Sequence, residues 1–435
     1  MTDDTSQQVT VVGAGVVGLC MALRLQRLGK QVLLIDRQRA GTGTSSGNAG
    51  YIATETIDPL STLETLRSVP GQLFKRHGAL KLPMQYLPKA APWLMRFALS
   101  ASPSRVERGR QALVSLNSQA VEAWRRCLTD IGAAGALRNA GHLLVWESAS
   151  TAGPRRLADH LARYGIHAEW QSEAAVRERI PALSSRVSQG LWFSQTAKIT
   201  DPAVLCRRLF DAFVARGGQW SQQGITHVQS DGQQAVLQGE RNTIVTRQVV
   251  IAAGAYSHRL CADLGLDVPL ETERGYHLTL PEARDLLPHS LESAERHCVL
   301  SPLHSGLRIV GFSEIGGLDM PPRQSRFASL QIHLRVLLDG PDGFADSPRT
   351  WMGYRPTLPD SLPVLDRHPS KPNVFMAFGH QHLGLTQAAV SAEWLADAIV
   401  YGTFAECLAP FRVTRFRATS HLSSLAHSRE DDTAK

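Results

Sequence analysis

The chain has 435 residues, 43% of them hydrophobic and 20% charged, an ordinary globular make-up in a length that one core does not usually hold, so two domains are expected. A formal net charge of +7 favours anionic ligands or an anionic membrane surface, while the lack of Lys/Arg runs interleaved with aromatics argues against nucleic acid. Six scattered cysteines without a CxxC pair argue against zinc or a disulfide scaffold; with no signal-peptide order at the N-terminus and no apolar run of about 18 residues, a cytoplasmic protein that does not span a membrane is expected.

In chain order, the β-branched run Val9 to Val12 leads into Gly13-Ala14-Gly15-Val16-Val17-Gly18, and apolar residues from Leu19 to Leu28 then recur at helical spacing up to Gly29. A second apolar strand, Gln31 to Ile35, ends at Asp36, completing a βαβ unit. In that setting Gly13 allows the tight turn, Gly15 admits a pyrophosphate, and Gly18 lets the helix pack closely. The helix start offers N–H groups to phosphate, and Asp36 is placed to accept from an adenosine ribose. FAD and NAD(P) both fit this unit.

After Arg37 comes GTGTSSGNAGY, with Thr44, Ser45, Ser46 and Asn48 set among Gly41, Gly43, Gly47 and Gly50. Such a loop suits a diphosphate and a flat ring system, and the apolar Tyr51-Ile52-Ala53 directly after it speaks against a solvated linker. The segment from Leu87 to Leu99 mixes Trp93, Met95 and Phe97 with Lys89 and Arg96; it reads as a helix burying those three side chains or as an interfacial segment. Further on, a strand from Asn373 to Phe378 ends in Gly379-His380-Gln381-His382-Leu383-Gly384-Leu385-Thr386, and a helix follows to about Val400. The His380/His382 pair has no cysteine or carboxylate near it in sequence, so no metal is expected.

With these pieces in view, the chain resembles the D-amino-acid dehydrogenase branch of the FAD-dependent D-amino-acid oxidase superfamily, which also holds glycine and sarcosine oxidases. The resemblance is carried by VVGAGVVGLCMALRLQRLGKQVLLIDRQ, GTSSGNAGYI, GLWFSQTAKITDPAVLCRRL, VVIAAGAYS, RGYHLTL, WMGYRPTLPDSLPVLDR and FGHQHLGLTQA, in that order along almost the whole chain. It implies an α/β fold: a discontinuous Rossmann-like FAD-binding domain of the GR2 type (1–85, 186–262 and 345–417) and a substrate domain built on a mixed β-sheet with helices (86–185 and 263–344). Residues 418–435 read as a polar tail.

The resemblance also implies roles. Gly13, Gly15, Val16, Val17, Gly18, Asp36 and Arg37 would hold FAD, together with Thr44, Ser45, Ser46, Asn48, Ala49 and Gly50. Ala253 and Gly254 would touch its nucleotide part and Ile225 its adenine. Gly379, His380, Gln381, Gly384, Leu385 and Thr386 would face the flavin pyrimidine edge, where a helix start favours negative charge. Arg355 in GYRP would grip the substrate carboxylate with its planar fork. Tyr51, Tyr276, His277 and His382 are candidate substrate contacts; of the adjacent Tyr276 and His277, only one faces the site if the strand alternates.

The implied reaction is oxidation of a D-amino acid to a 2-oxo acid and ammonia, with hydride passing from Cα to flavin N5. No cysteine stands in the GYRP motif, so non-covalent FAD is expected. The acceptor would be a quinone or another carrier, with peripheral attachment to the inner membrane as a corollary. Glycine, sarcosine, D-proline or D-hydroxyproline oxidation is the rival within the class; an FAD-binding subunit without its own turnover is the rival outside it.

Overall fold

The first βαβ unit forms as its pattern dictates: strand Gln8–Val12, helix Val16–Arg27 and strand Gln31–Asp36, the two strands parallel. They sit in a six-stranded sheet ordered 364–367, 374–378, 248–251, 8–12, 31–36, 219–222, parallel except for the first strand. The structure, a computed structural model, describes residues 8–75, 77–340 and 347–416; the tail expected at 418–435 lies outside the described residues.

Helices Val16–Arg27, Pro202–Ala215 and Gly384–Tyr401 share one core with this sheet, in which Leu19, Met21, Leu25, Phe213, Ala389 and Leu395 are buried. A small antiparallel sheet of strands Ile225–Ser230, Ala235–Gly239 and Thr243–Thr246 packs with Leu260 and Leu264 around Ile35, Val249 and Ile251. A strand buried on both faces reads as a continuous apolar run, which is why 8–12 and 248–251 show no alternation.

The second sheet is larger and mixed, ordered 349–357, 271–280, 306–315, 298–303, 290–293, 142–146, 189–193, 169–172, with the short strand Leu80–Lys81 beside 306–315. One face packs through Tyr276, Leu278, Ile309 and Leu300 against helix Gln324–Leu337. The opposite face carries Glu273, Gly275 and His277 from strand Glu271–Leu280.

The sheets do not divide at the expected domain edges. Strands Gln189–Phe193 and Arg349–Thr357, expected within FAD-binding segments, belong to the large mixed sheet. Helices Pro103–Asn117 and Ala120–Asp130, expected with the substrate segments, bury Leu116, Trp124 and Leu128 in the core of the parallel sheet. The chain crosses between sheets inside the motifs that served as markers, as in WMGYRPTLP, where the strand ends and the crossover begins.

Helix Leu87–Ser100 buries Trp93, whose indole donates to Thr357 O at 3.2 Å and whose ring stacks on Phe97. Met95 does not join them: it is 62% exposed, and Leu99 60%. Among the described residues no helix is long and apolar enough to cross a membrane.

Candidate active site

Gly13 closes the first turn at φ +112, donating its N–H to Ile35 O at 2.7 Å; a Cβ there would lie 2.3 Å from Ala252 O. Gly18 brings the helix onto this turn so closely that its Cβ would fall 1.8 Å from Gly13 O. The result is a groove of about 470 Å3 at the C-terminal ends of the parallel strands, the position at which open α/β sheets bind ligands.

Of the expected cofactor contacts, Gly13, Gly15, Val16, Val17, Asp36, Arg37, Thr44, Ser45, Asn48, Ile225, Ala253, Gly254, Gly379, His380, Gln381, Gly384 and Leu385 line this groove. Asp36 accepts from Ala14 N at 2.7 Å, and Arg37 lies over the Tyr256 ring.

The glycine loop is pinned at both ends, as a linker is not. Thr44 Oγ1 donates to Tyr354 O at 3.0 Å and accepts from Tyr354 N at 3.1 Å, and Ser45 Oγ accepts from Val16 N at 2.9 Å. Arg308 donates to Ser46 O at 2.9 Å and Asn48 O at 2.8 Å. His277 Nδ1 lies 3.0 Å from Gly47 O, so it carries the proton; burial, with Arg308 nearby, pushes this histidine down to about 3. Its ring stacks on Trp351. His277 thus buttresses the loop as a neutral donor.

Six expected contacts do not line the groove, the first being Gly18, which serves the packing of the helix on the turn. The Ser46 hydroxyl turns back to Gly43 O at 2.9 Å. Ala49 and Gly50 are buried under the loop, and Thr386 Oγ1 accepts from Ala53 N at 3.0 Å. Tyr276 points to the other face of its strand, fully buried against Phe327, with its hydroxyl 3.2 Å from Glu314 Oε1. Strand alternation decides this: His277 takes the site face and Tyr276 the core face.

At the far end of the groove Gly379 has φ +86 and Gln381, not a glycine, φ +51. The buried Gln381 Nε2 has no hydrogen-bond partner within the protein. His380 is held 3.0 Å from Ser391 Oγ and is kept neutral by burial, which lowers it to about 3. An orphaned amide donor facing the groove at the start of helix Gly384–Tyr401 fits a flavin, whose pyrimidine edge is rich in acceptors. The groove therefore fits FAD: the glycine turn and Ser45 would hold its diphosphate and Gln381 its ring edge.

Beside the groove stands Arg355. Its guanidinium lies across strand 271–280 over Gly275, where a Cβ would come within 2.6 Å of Nη2. Nη1 donates to Phe312 O at 3.0 Å and to Glu273 Oε1 at 2.5 Å. Glu273 is buried and also accepts from Ser313 Oγ at 2.6 Å and Thr357 Oγ1 at 3.2 Å. Burial would raise its carboxyl, but Arg355 and the Ser313 bond hold it below the usual range. The half-buried His382 is lowered by burial and feels the charges of Glu273, Arg355 and Glu292.

A second polar group lies on the same face of the large sheet, where Glu292 is level with His277. Tyr51 stacks on His142 at 4.5 Å between ring centroids, and its hydroxyl lies 3.4 Å from Glu292 Oε2, which His142 Nε2 approaches to 3.3 Å. Glu55 lies within electrostatic reach of both and is pushed up to about 7, mainly by burial. Of these, Tyr51 was an expected contact; Glu55, His142 and Glu292 carry no motif. Glu273 had a signal in the i, i+2, i+4 spacing it shares with Gly275 and His277. Among the described residues no cluster of three or more His, Cys, Asp or Glu could hold a metal.

Fold and groove together define a flavin-dependent oxidoreductase, with the Arg355–Glu273 pair beside its cofactor groove. The family profile described as DAO, FAD dependent oxidoreductase, matches residues 8–398, and the chain belongs to that family. It is 31% identical to a D-amino-acid oxidase of Bradyrhizobium diazoefficiens over 94% of this chain and 99% of the relative. It is 30% identical to D-amino acid dehydrogenase 2 of Ralstonia nicotianae over 94% and 100%. Its fold is similar to glycine oxidase from Geobacillus kaustophilus, with a TM-score of 0.72 at 20% identity, covering 95% of this chain and all (100%) of that one.

Proposed function

We propose that the chain oxidises a D-amino acid to the imino acid, which water hydrolyses to a 2-oxo acid and ammonia. The observation that carries this is Arg355: a permanently charged fork pinned over Gly275 at the edge of the cofactor groove. Bound FAD supplies the two-electron acceptor for the Cα–H bond. Arg355 binds the carboxylate and so fixes where Cα lies, while Glu273 holds the guanidinium in place. The cofactor contacts are those lining the groove, and His382 and Tyr51 flank the substrate. His277 and His380 are neutral, so neither places a positive charge beside the substrate amine. An amine that binds neutral needs no dedicated base.

Non-covalent FAD is supported by the absence of cysteine among the described residues lining the groove. The relatives' names, an oxidase and a dehydrogenase, bracket the electron acceptor. We place a quinone there, with the protein resting on an anionic membrane through helix 87–100. Its exposed Met95 and Leu99, with Met84 before it, stand beside Lys89 and Arg96. Co-sedimentation with anionic vesicles should fall on Leu99→Glu; no sedimentation of the unaltered protein would end that reading. The activity itself is tested by dye-linked and peroxide assays over D-amino acids, glycine, sarcosine and cyclic imino acids. Loss of the yellow FAD on mild denaturation would separate non-covalent from covalent attachment.

A further inference from the structure

The carboxylates opposite Arg355 are more than a carboxylate-and-amine site requires. Glu55 is unusual because both of its oxygens are buried and neither forms a well-aligned hydrogen bond among the described residues; the Thr196 hydroxyl and its own backbone N–H favour its charge less than burial opposes it. An unsatisfied buried carboxyl is costly, and a cation with several N–H donors removes the cost. Glu292, close to it, is partly open, with 33% of its side chain exposed, and among the described residues meets His142 and Tyr51 at 3.3 and 3.4 Å, with His297 within electrostatic reach. On the other side Arg355 is already matched by Glu273, so the site has no positive excess for a second anionic group.

The spacing gives the ligand its length. The Arg355 guanidinium rests on Phe312 O of strand Gly306–Ile315. Strand Ser290–Ser293, bearing Glu292, is two places further along the sheet, which puts the two groups on the order of 10 Å apart at about 4.8 Å per strand. In register Glu292 is level with Val299, Val310 and His277, so it stands on the same face of the sheet as His277 and Glu273, the face over which the Arg355 guanidinium lies. That span suits an α-amino acid with a long side chain, carboxylate at one end and cation at the other.

Building on the proposed D-amino-acid oxidation, we propose that Glu55 and Glu292 form a side-chain subsite selecting substrates with a cationic terminus, that is, basic D-amino acids. Tyr51 and His142 hold Glu292 in place, and the stacked rings wall the subsite.

The test is dye-linked kcat/KM of the FAD-loaded enzyme for D-lysine, D-ornithine and D-arginine against D-methionine and D-glutamate. The expected order is basic above neutral by about tenfold or more, with D-glutamate last. Glu292→Gln and Glu55→Gln should each lower the ratio of D-lysine to D-methionine by about tenfold, chiefly through KM. Two variants are used because either alone could fail to fold. A wild-type preference for D-methionine or D-glutamate overturns the proposal. So does an unchanged ratio in the folded variants, which would assign the carboxylates to the α-amino group or to packing. If no D-amino acid of the panel is oxidised, the proposed activity itself falls, a result distinct from activity with the wrong preference.

Discussion

Gly275→Ala is expected to leave the fold and FAD in place while damaging substrate capture. The added Cβ would lie 2.6 Å from Arg355 Nη2 and 2.7 Å from Cζ. Ordinary contact begins at 3.4 Å, so the guanidinium must retreat by at least 3.4 − 2.6 = 0.8 Å. Its displaced atoms are the far end of a flexible side chain, so stability changes little. The position of the fork changes, however, and with it the bond to Glu273 at 2.5 Å and the seat of the substrate carboxylate. A charge-assisted bond contributes about 1.5–3 kcal/mol, which corresponds to roughly 10- to 100-fold in KM. A misplaced Cα should lower kcat as well. The assay is steady-state dye reduction together with the flavin spectrum and thermal midpoint. Unchanged KM and kcat in a folded, yellow Gly275→Ala protein would refute the assignment of Arg355.

Arg355→Ala should keep FAD, raise KM strongly, and destabilise by about 3–5 kcal/mol, because Glu273 is left buried and unpaired. Arg355→Ala with Glu273→Gln should regain much of the thermal midpoint without regaining KM. Glu55 gives a pH signature: its folded value near 7 lies above its ordinary 4.5, so the folded state holds the extra proton between them. Stability therefore declines as pH rises from about 4.5 to about 7 and is level above that; KM for basic substrates should fall through the same upper limit as Glu55 ionises. Glu55→Gln should flatten both profiles. Gln381→Leu removes the orphaned donor, so FAD affinity should drop several-fold in a titration while the apo-protein is no less stable.

The βαβ unit and its groove were legible because each glycine answers a backbone need visible in sequence: a positive φ at Gly13, a close approach at Gly18. The glycine loop was legible as a cradle but not atom by atom. Its hydroxyls serve the protein as much as a ligand, Ser46 bonding its own loop and Ser45 the helix start. Tyr276 shows the limit of motif transfer: neighbours on a strand face opposite ways, and only pairing with a helix or a loop decides which side is buried. Glu55, His142 and Glu292 were not legible at all. They come from a loop and two strands far apart in sequence: the parallel pairing of 290–293 with 142–146 joins the strands, and bonds from Ile52 N to Ala197 O and Ala53 N to Thr386 Oγ1 hold the loop. That Gln189–Phe193 and Arg349–Thr357 join the large mixed sheet was not legible for the same reason, since strand order is a long-range property.

The central claim is tested most directly by mixing the purified protein anaerobically with D- and L-enantiomers of a set of amino acids and following the flavin absorbance. The account predicts rapid bleaching by D-amino acids, fastest with D-lysine or D-arginine, and no bleaching by their L-enantiomers. Bleaching by the L-enantiomers alone, or by none of the set, would contradict it.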